Sequence, residues 1–323
     1  MTRARGPRRT PCAPVAALPW VVWAVLRATG AERGFPLVPA MSFTPYAAAT
    51  AVLPLSAAVR ARSVAGAVLS IAAGTALAGA VLARAGGRRR AESPDGPRVR
   101  VATVSLRQGL VRPGPVLDLV RRHDVDVLAV QELTPRAEAA LRAAGIAELL
   151  PAAHVVPARR GSVPAASGAV WTRLPVLDRT VTPGTFEQPT VRLAGAGPAD
   201  VELTSVHTAP PATSPRSVRD WADDLTALPP PAPGVLRVLA GDFNATLDHA
   251  AFRGVMDRGY RDAARETGRA LRWTWRPLQL RFPRLTLDHV LVDPRIGVAS
   301  LEVVAVEGSD HRAVVAQLVL PAG

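Results

Sequence analysis

Ser63–Ala83 runs without a charge between Arg62 and Arg84, a length of about 21 residues. Few conformations are open to such a segment. In hydrocarbon every backbone N–H and C=O needs a partner within the segment, so the run is a helix, across a bilayer or inside a core. An arginine at either end fits a membrane edge. Gly66, Ser70, Gly74 and Ala78 recur at every fourth position, which predicts close helix–helix contact in lipid. A second uncharged run lies between Arg33 and Arg60, with Ser42–Val59 as its span and Pro45 and Pro54 as kink sites. A third, Cys12–Leu26, holds Trp20 and Trp23 and is short enough to be spanning or interfacial. Residues 1–84 are therefore expected to form a membrane segment of two or three transmembrane helices, with the lipid bilayer as a partner. Three spans place the chain's ends on opposite sides. The arginines flanking the spans divide evenly and do not fix the orientation. An inner N-terminus would put the rest of a multi-pass cell-membrane protein on the extracytoplasmic side.

The charge follows this division. The chain carries +13, and every basic residue other than histidine is arginine. Twelve of the 39 arginines and three of the 26 acids lie in residues 1–97, so +9 belongs there and +4 to the remainder. A balance of +4 gives no electrostatic footprint for nucleic acid, which is not the favoured partner. Cys12 is the one cysteine, which excludes an internal disulfide.

Residues 85–97, with Gly86, Gly87, Pro94, Gly96 and Pro97, read as a linker. From Arg98 short apolar runs alternate with helical patterns. Val99–Val104, Val125–Val130, Ala169–Trp171, Val201–Val206, Val235–Ala240, Leu287–Val292, Leu301–Val306 and Val314–Leu320 are predicted strands. Val116–His123, a stretch from Pro135 to about Ala144 capped by Thr134, Pro215–Leu228 and His249–Arg258 are predicted helices. Many strands with few helices imply an α/β or α+β sandwich of two packed sheets over residues 98–321.

Several of these strands end in chemistry. Val125–Val130 leads into Gln131 and Glu132, and Val201–Val206 into His207. Val235–Ala240 leads into Gly241-Asp242-Phe243-Asn244, and Leu301–Val306 into Gly308-Ser309-Asp310-His311. Leu287–Val292 contains Asp288 and His289 at its start. Strand ends of adjoining sheets can converge on one cleft. Glu132, Asp242, Asn244, Asp310, His207 and His311, with Asp288 nearby, form the collected set, and its carboxylate and amide oxygens suit a hard cation such as Mg²⁺. No His-x₃-His spacing supports structural zinc, and no nucleophile elbow or P-loop is present. A metal, two imidazoles and an acidic base suit hydrolysis of a phosphate ester.

In this order, Gln-Glu, Ser-x-His, Gly-Asp-Phe-Asn, Leu-Asp-His and Gly-Ser-Asp-His, the chain resembles the endonuclease/exonuclease/phosphatase superfamily over about Arg98–Leu320, and its membrane-anchored bacterial members in particular. The resemblance implies a four-layered α/β sandwich behind the helical membrane segment. It implies Mg²⁺ (or Mn²⁺) held mainly by Glu132, with Asp310 a second carboxylate on the metal side. Asp242, helped by Asn244, would align the water. His311, oriented by Asp288, would contact the scissile phosphate, and His207 the phosphate or the leaving group. Trp275 resembles an aromatic residue near the family's site. Where the family usually has asparagine in the first strand, facing the metal, this chain has Ser105, a shorter group with one donor. That departure opens an alternative in which the sandwich is a weakened or inactive binding module. The substrate, whether nucleic acid, phospholipid head group or sugar phosphate, and the oligomeric state are not legible in the sequence.

Overall fold

The computed structural model describes residues 12–87, 96–195 and 199–322. The basic start Arg3–Arg9 and linker residues 88–95 lie outside the described residues.

Twelve strands are described: β1 (Arg98–Ser105), β2 (Val127–Leu133), β3 (Ala152–Val156), β4 (Ser167–Thr172), β5 (Val176–Thr182), β6 (Gln188–Leu193), β7 (Asp200–His207), β8 (Val235–Asp242), β9 (Arg261–Asp262), β10 (Asp288–Val292), β11 (Gly297–Ala305) and β12 (Arg312–Val319). They form two six-stranded sheets, ordered β11-β12-β1-β2-β4-β3 and β5-β6-β7-β8-β10-β9. Each sheet has one parallel pair at its centre, β1 with β2 and β7 with β8, and antiparallel neighbours outside it.

The layering follows from the period of two along each strand. In β1, Val99 and Val101 face the second sheet and join Leu203, Val238 and Val290 in one core. Ala102 and Val104 face the other way. There they meet Val116, Leu117 and Val120 of helix Pro113–Arg122 and Leu141 of helix Pro135–Ala143. Helices Pro215–Ala227 and Ala250–Asp257 cover the second sheet with Trp221, Leu225, Phe252 and Val255. The chain is thus a four-layered α/β sandwich. Central strands buried on both faces, such as Val127–Val130, read as continuous apolar runs for that reason. Gln131 ties the sheets together. Its Oε1 accepts from Thr103 Oγ1 (2.9 Å), and its Nε2 donates to Ser205 Oγ on β7 (2.8 Å).

Four strands go beyond the sequence reading. β5 lies at a sheet edge with most of its residues exposed, and β9 has two residues, so neither carries a strong hydrophobic pattern. β6 contains Pro189 and β3 is only half-buried, which weakened the same signal.

The N-terminal helices are Cys12–Thr29, Thr44–Thr50, Val52–Arg60 and Val64–Leu82, with a short turn of helix at Leu37–Ala40. Ser63 caps the last long helix by accepting from Gly66 N–H. Val64–Leu82 is long and apolar enough to cross a membrane. Leu37–Thr50 and Val52–Arg60 pass the same test as a pair bent by 42°, and Pro14–Thr29 is apolar but shorter. The packed face of Val64–Leu82 is Gly66, Ser70, Ala73 and Leu77 rather than the strict four-residue series. At 3.6 residues per turn a spacing of four drifts around the helix, and spacings of three and four must mix to stay on one face. Trp20 and Trp23 each donate an indole N–H across to the next helix, to Ala47 O and Thr44 Oγ1, both at 3.0 Å.

These helices dock on the sandwich through buried polar groups. Asp248 receives Arg27 Nε at 2.7 Å and also the guanidinium of Arg84, and its side chain is fully buried. Glu32 accepts the N–H of Ala250 at the start of helix Ala250–Asp257, where a carboxylate also meets the positive end of the helix. His249 Nε2 lies 3.0 Å from Val38 O. Tyr46 Oη accepts Arg284 N–H (2.7 Å) and donates to Arg284 O (3.2 Å).

Candidate active site

The parallel strands bring their C-terminal ends to one edge of the sandwich, where the antiparallel β10 and β12 begin. Glu132, His207 and Asp242 sit at ends of β2, β7 and β8, Asp288 at the start of β10, and His311 one residue before β12. Glu132, His207, Asp242, Asn244, Asp310 and His311 line one cavity of about 920 Å³, together with Trp275. Ser105 and Asp288 stand directly behind it, both buried.

Two of these side chains owe their aim to an uncommon backbone. The pairing of β2 with β4 slips by one residue between Val130 and Leu133, a bulge, and Glu132 within it has φ +53°. Its Oε1 accepts from Ser105 Oγ (2.9 Å) and its Oε2 from Gln108 N–H (2.6 Å). Ser105, expected beside the metal, is fully buried and gives its hydroxyl hydrogen to Glu132, so its place is behind that carboxylate. Asn244 has φ +46°. Its N–H donates to Asp242 Oδ1 (2.8 Å) and its Nδ2 to Thr208 O (2.9 Å), an Asx turn that fixes the Asp242 carboxylate. Gly241 before it is required by packing, since a Cβ there would stand 1.9 Å from Val206 O on β7.

His311 is held from three sides. Its Nδ1 lies 2.9 Å from Asp288 Oδ2, and its Nε2 lies 3.8 Å from Asp242 Oδ2. Its own N–H donates to Ser309 Oγ, which in turn donates to Ser105 O. Burial opposes protonation of the ring, but the carboxylates of Asp288 and Asp242 outweigh it and push the pKa up to about 10. Burial pushes Asp242 up to about 7, with His311 pulling against it and Asp288 adding to it. His207 is the opposite case. Burial first, then the neighbouring His311, pull it down to about 3, so its ring is neutral. The ring packs on Phe186 at 4.4 Å between centroids, and its buried Nδ1 has no partner among the described residues.

Asp310 accepts from Trp275 Nε1 (3.2 Å) through Oδ2, and its buried Oδ1 has no partner among the described residues. An orphaned carboxylate oxygen and the carboxylate of Glu132 facing one cavity fit a hard divalent cation. Asp242, Asp288 and His311 also bring three donor atoms within 4.8 Å of one another. The His311 ring is tied to Asp288 through Nδ1, and the two carboxylates favour its protonated form.

Phe186, Gln108, Ser309 and Trp275 complete the site, and only Trp275 and the Ser of Ser-Asp-His had a sequence signal. His289, beside Asp288 in the sequence, bonds Asp262 Oδ2 and Ala245 O, each at 3.0 Å, inside the core.

Residues 106–311 match the model of the Endonuclease/Exonuclease/phosphatase family. Among solved structures, an endonuclease/exonuclease/phosphatase from Beutenbergia cavernae is 20% identical with a TM-score of 0.53, over 69% of this chain and 72% of that one. TDP2 of D. rerio, complexed with a single strand DNA product, is 14% identical with a TM-score of 0.54, over 68% and 98%. An endonuclease/exonuclease/phosphatase from Bacteroides vulgatus is 19% identical with a TM-score of 0.51, over 69% and 99%. No curated protein matches the chain. At these identities the structural likeness carries the fold alone.

Proposed function

The chain belongs to the endonuclease/exonuclease/phosphatase family, which includes metal-dependent phosphoesterases and nucleases, and on that premise we propose that it is a membrane-tethered, metal-dependent phosphoesterase. The observation that carries this reading is the single cavity shared by Glu132, Asp310, Asp242 and the His311–Asp288 pair.

In this reading Glu132 and Asp310 hold Mg²⁺ or Mn²⁺, with Ser105 and Gln108 N–H fixing the Glu132 carboxylate. When bound, the cation neutralises phosphate charge and stabilises the leaving oxygen. Asp242, locked by Asn244, aligns the attacking water and takes its proton. A carboxylate raised to about 7 is well matched to that task near neutral pH. His311, kept protonated by Asp288, donates to a non-bridging phosphate oxygen. Neutral His207 offers a ring nitrogen to the phosphate or the leaving group.

Replacing Asp242 by alanine in the full chain should lower kcat against a phosphodiester by at least about 10²-fold. Turnover that survives this change in a folded protein would remove Asp242 from the mechanism. The Ser105 departure favours a second reading, a sandwich that binds a phosphoester without cleaving it. Cation binding with no turnover of any phosphoester would select that reading.

A further inference from the structure

The site cavity has a wall that the sandwich does not supply. Pro39, Ser42 and Phe43 of the N-terminal helical segment line the same cavity as Glu132, Asp242 and His311. Apolar Leu110, Val163, Pro283 and Leu285 line the cavity as well. Phe43, Leu110 and Val163 keep 38%, 65% and 59% of their surface exposed, so they line space without being packed away. The one side-chain polar group the segment contributes, Ser42 Oγ, is already 3.4 Å from His249 Nε2.

The wall is held firmly. Asp248, Glu32 and His249 anchor the segment to residues 245–250, and that stretch follows the Asp242–Asn244 turn directly. One continuous piece of chain therefore carries the Asp242 carboxylate and the latch that holds the segment lining the same cavity. The latch also joins the cavity to a helical bundle whose outward residues are apolar, among them Val64 (78% exposed) and Leu53 (60%).

We propose that this wall is a subsite for a hydrocarbon chain, and that the substrate is a phosphate ester of an amphiphile drawn from the bilayer that holds the helices. This rests on the phosphoesterase reading above and specifies its substrate class. A sugar or a base placed against Phe43, Val163 and Leu110 would leave its hydrogen-bonding groups unpaired, whereas an alkyl chain has none to lose. The cavity is also much larger than a phosphate group needs.

The test uses the full chain in nanodiscs with Mg²⁺. Hydrolysis of p-nitrophenyl methyl phosphate is compared with that of p-nitrophenyl octyl phosphate, kept below its micellar concentration. Each methylene buried on binding is worth roughly fourfold, so kcat/KM should favour the octyl ester by at least about 100-fold. Phe43→Asp should reduce that preference by about tenfold or more through KM, and Phe43→Leu should retain it. Equal rates for the two esters overturn the subsite while leaving the phosphoesterase intact. Binding of methyl and octyl phosphate to Asp242→Ala protein, measured by calorimetry, separates the subsite from catalysis. Tighter octyl phosphate binding with no hydrolysis of either ester by the wild type keeps the subsite and removes the enzyme. Equal binding overturns the subsite. Turnover of a phospholipid placed in the same nanodisc identifies the bilayer as the source. Turnover of monomeric octyl ester alone overturns that source.

Discussion

Glu132 and Asn244 both sit in the left-handed region, where a residue other than glycine costs roughly 1–3 kcal/mol and persists only when its surroundings enforce it. In each case the enforcement is visible. Ser105 and Gln108 hold the carboxylate of Glu132, and Asp242 and Thr208 hold Asn244. The Asx turn of Gly241-Asp242-Phe243-Asn244 is also the device that fixes Asp242. Ser105 is where the sequence reading was least complete. Its departure from asparagine was legible, but its position behind Glu132 depends on the bulge in β2, which leaves no mark in the sequence. As a positioning residue it has a distinct signature. Ser105→Ala should weaken Mn²⁺ binding about 10–100-fold, as loss of a group supporting a metal ligand does, with kcat at saturating metal much less affected. A metal titration that matches the wild type would contradict that place for Ser105.

Elements rich in apolar residues were legible, and so were their polar ends, because a buried central strand must be continuous and its chemistry must sit where the strand stops. The edge strands β3, β5 and β9 and the inter-sheet tie through Gln131 were not, since they depend on neighbours distant in sequence. The loop 245–249 was the largest omission. His249 entered the sequence reading only as the start of a predicted helix, yet it anchors the helical segment through Val38 O. Burial pulls its pKa from the ordinary 6.5 down to about 4, so it is neutral when docked. Between those values the unfolded chain takes up a proton that the folded one refuses. The stability it contributes is therefore complete above about pH 6.5, falls as pH drops toward 4 and levels off below that. The thermal midpoint of the full chain should decline over this window, and His249→Gln should flatten the decline. An unchanged slope in the variant would assign the acid sensitivity elsewhere.

At the scale of the whole molecule, the helical segment and the sandwich are joined by a buried ion-pair cluster and share a cavity, which a reading of two parts in series along the chain could not foresee. Val64–Leu82 has the length and composition to span a membrane, and the outward apolar residues of the other helices fit the same surroundings. With three crossings and an inner N-terminus, protease added to intact cells should digest the sandwich. Survival of the sandwich while an outer control is cut would place it inside. The central claim is narrower than topology: one cavity assembles a cation site and a proton relay for phosphoester hydrolysis. It is tested most directly by the phosphodiesterase activity of the purified full chain, assayed with EDTA and across a Mg²⁺ or Mn²⁺ titration, beside Glu132→Gln. EDTA should abolish turnover, the cation should restore it, and the variant should need at least about tenfold more metal. Equal activity with and without the cation, or a Glu132→Gln titration that overlays the wild type, would contradict it.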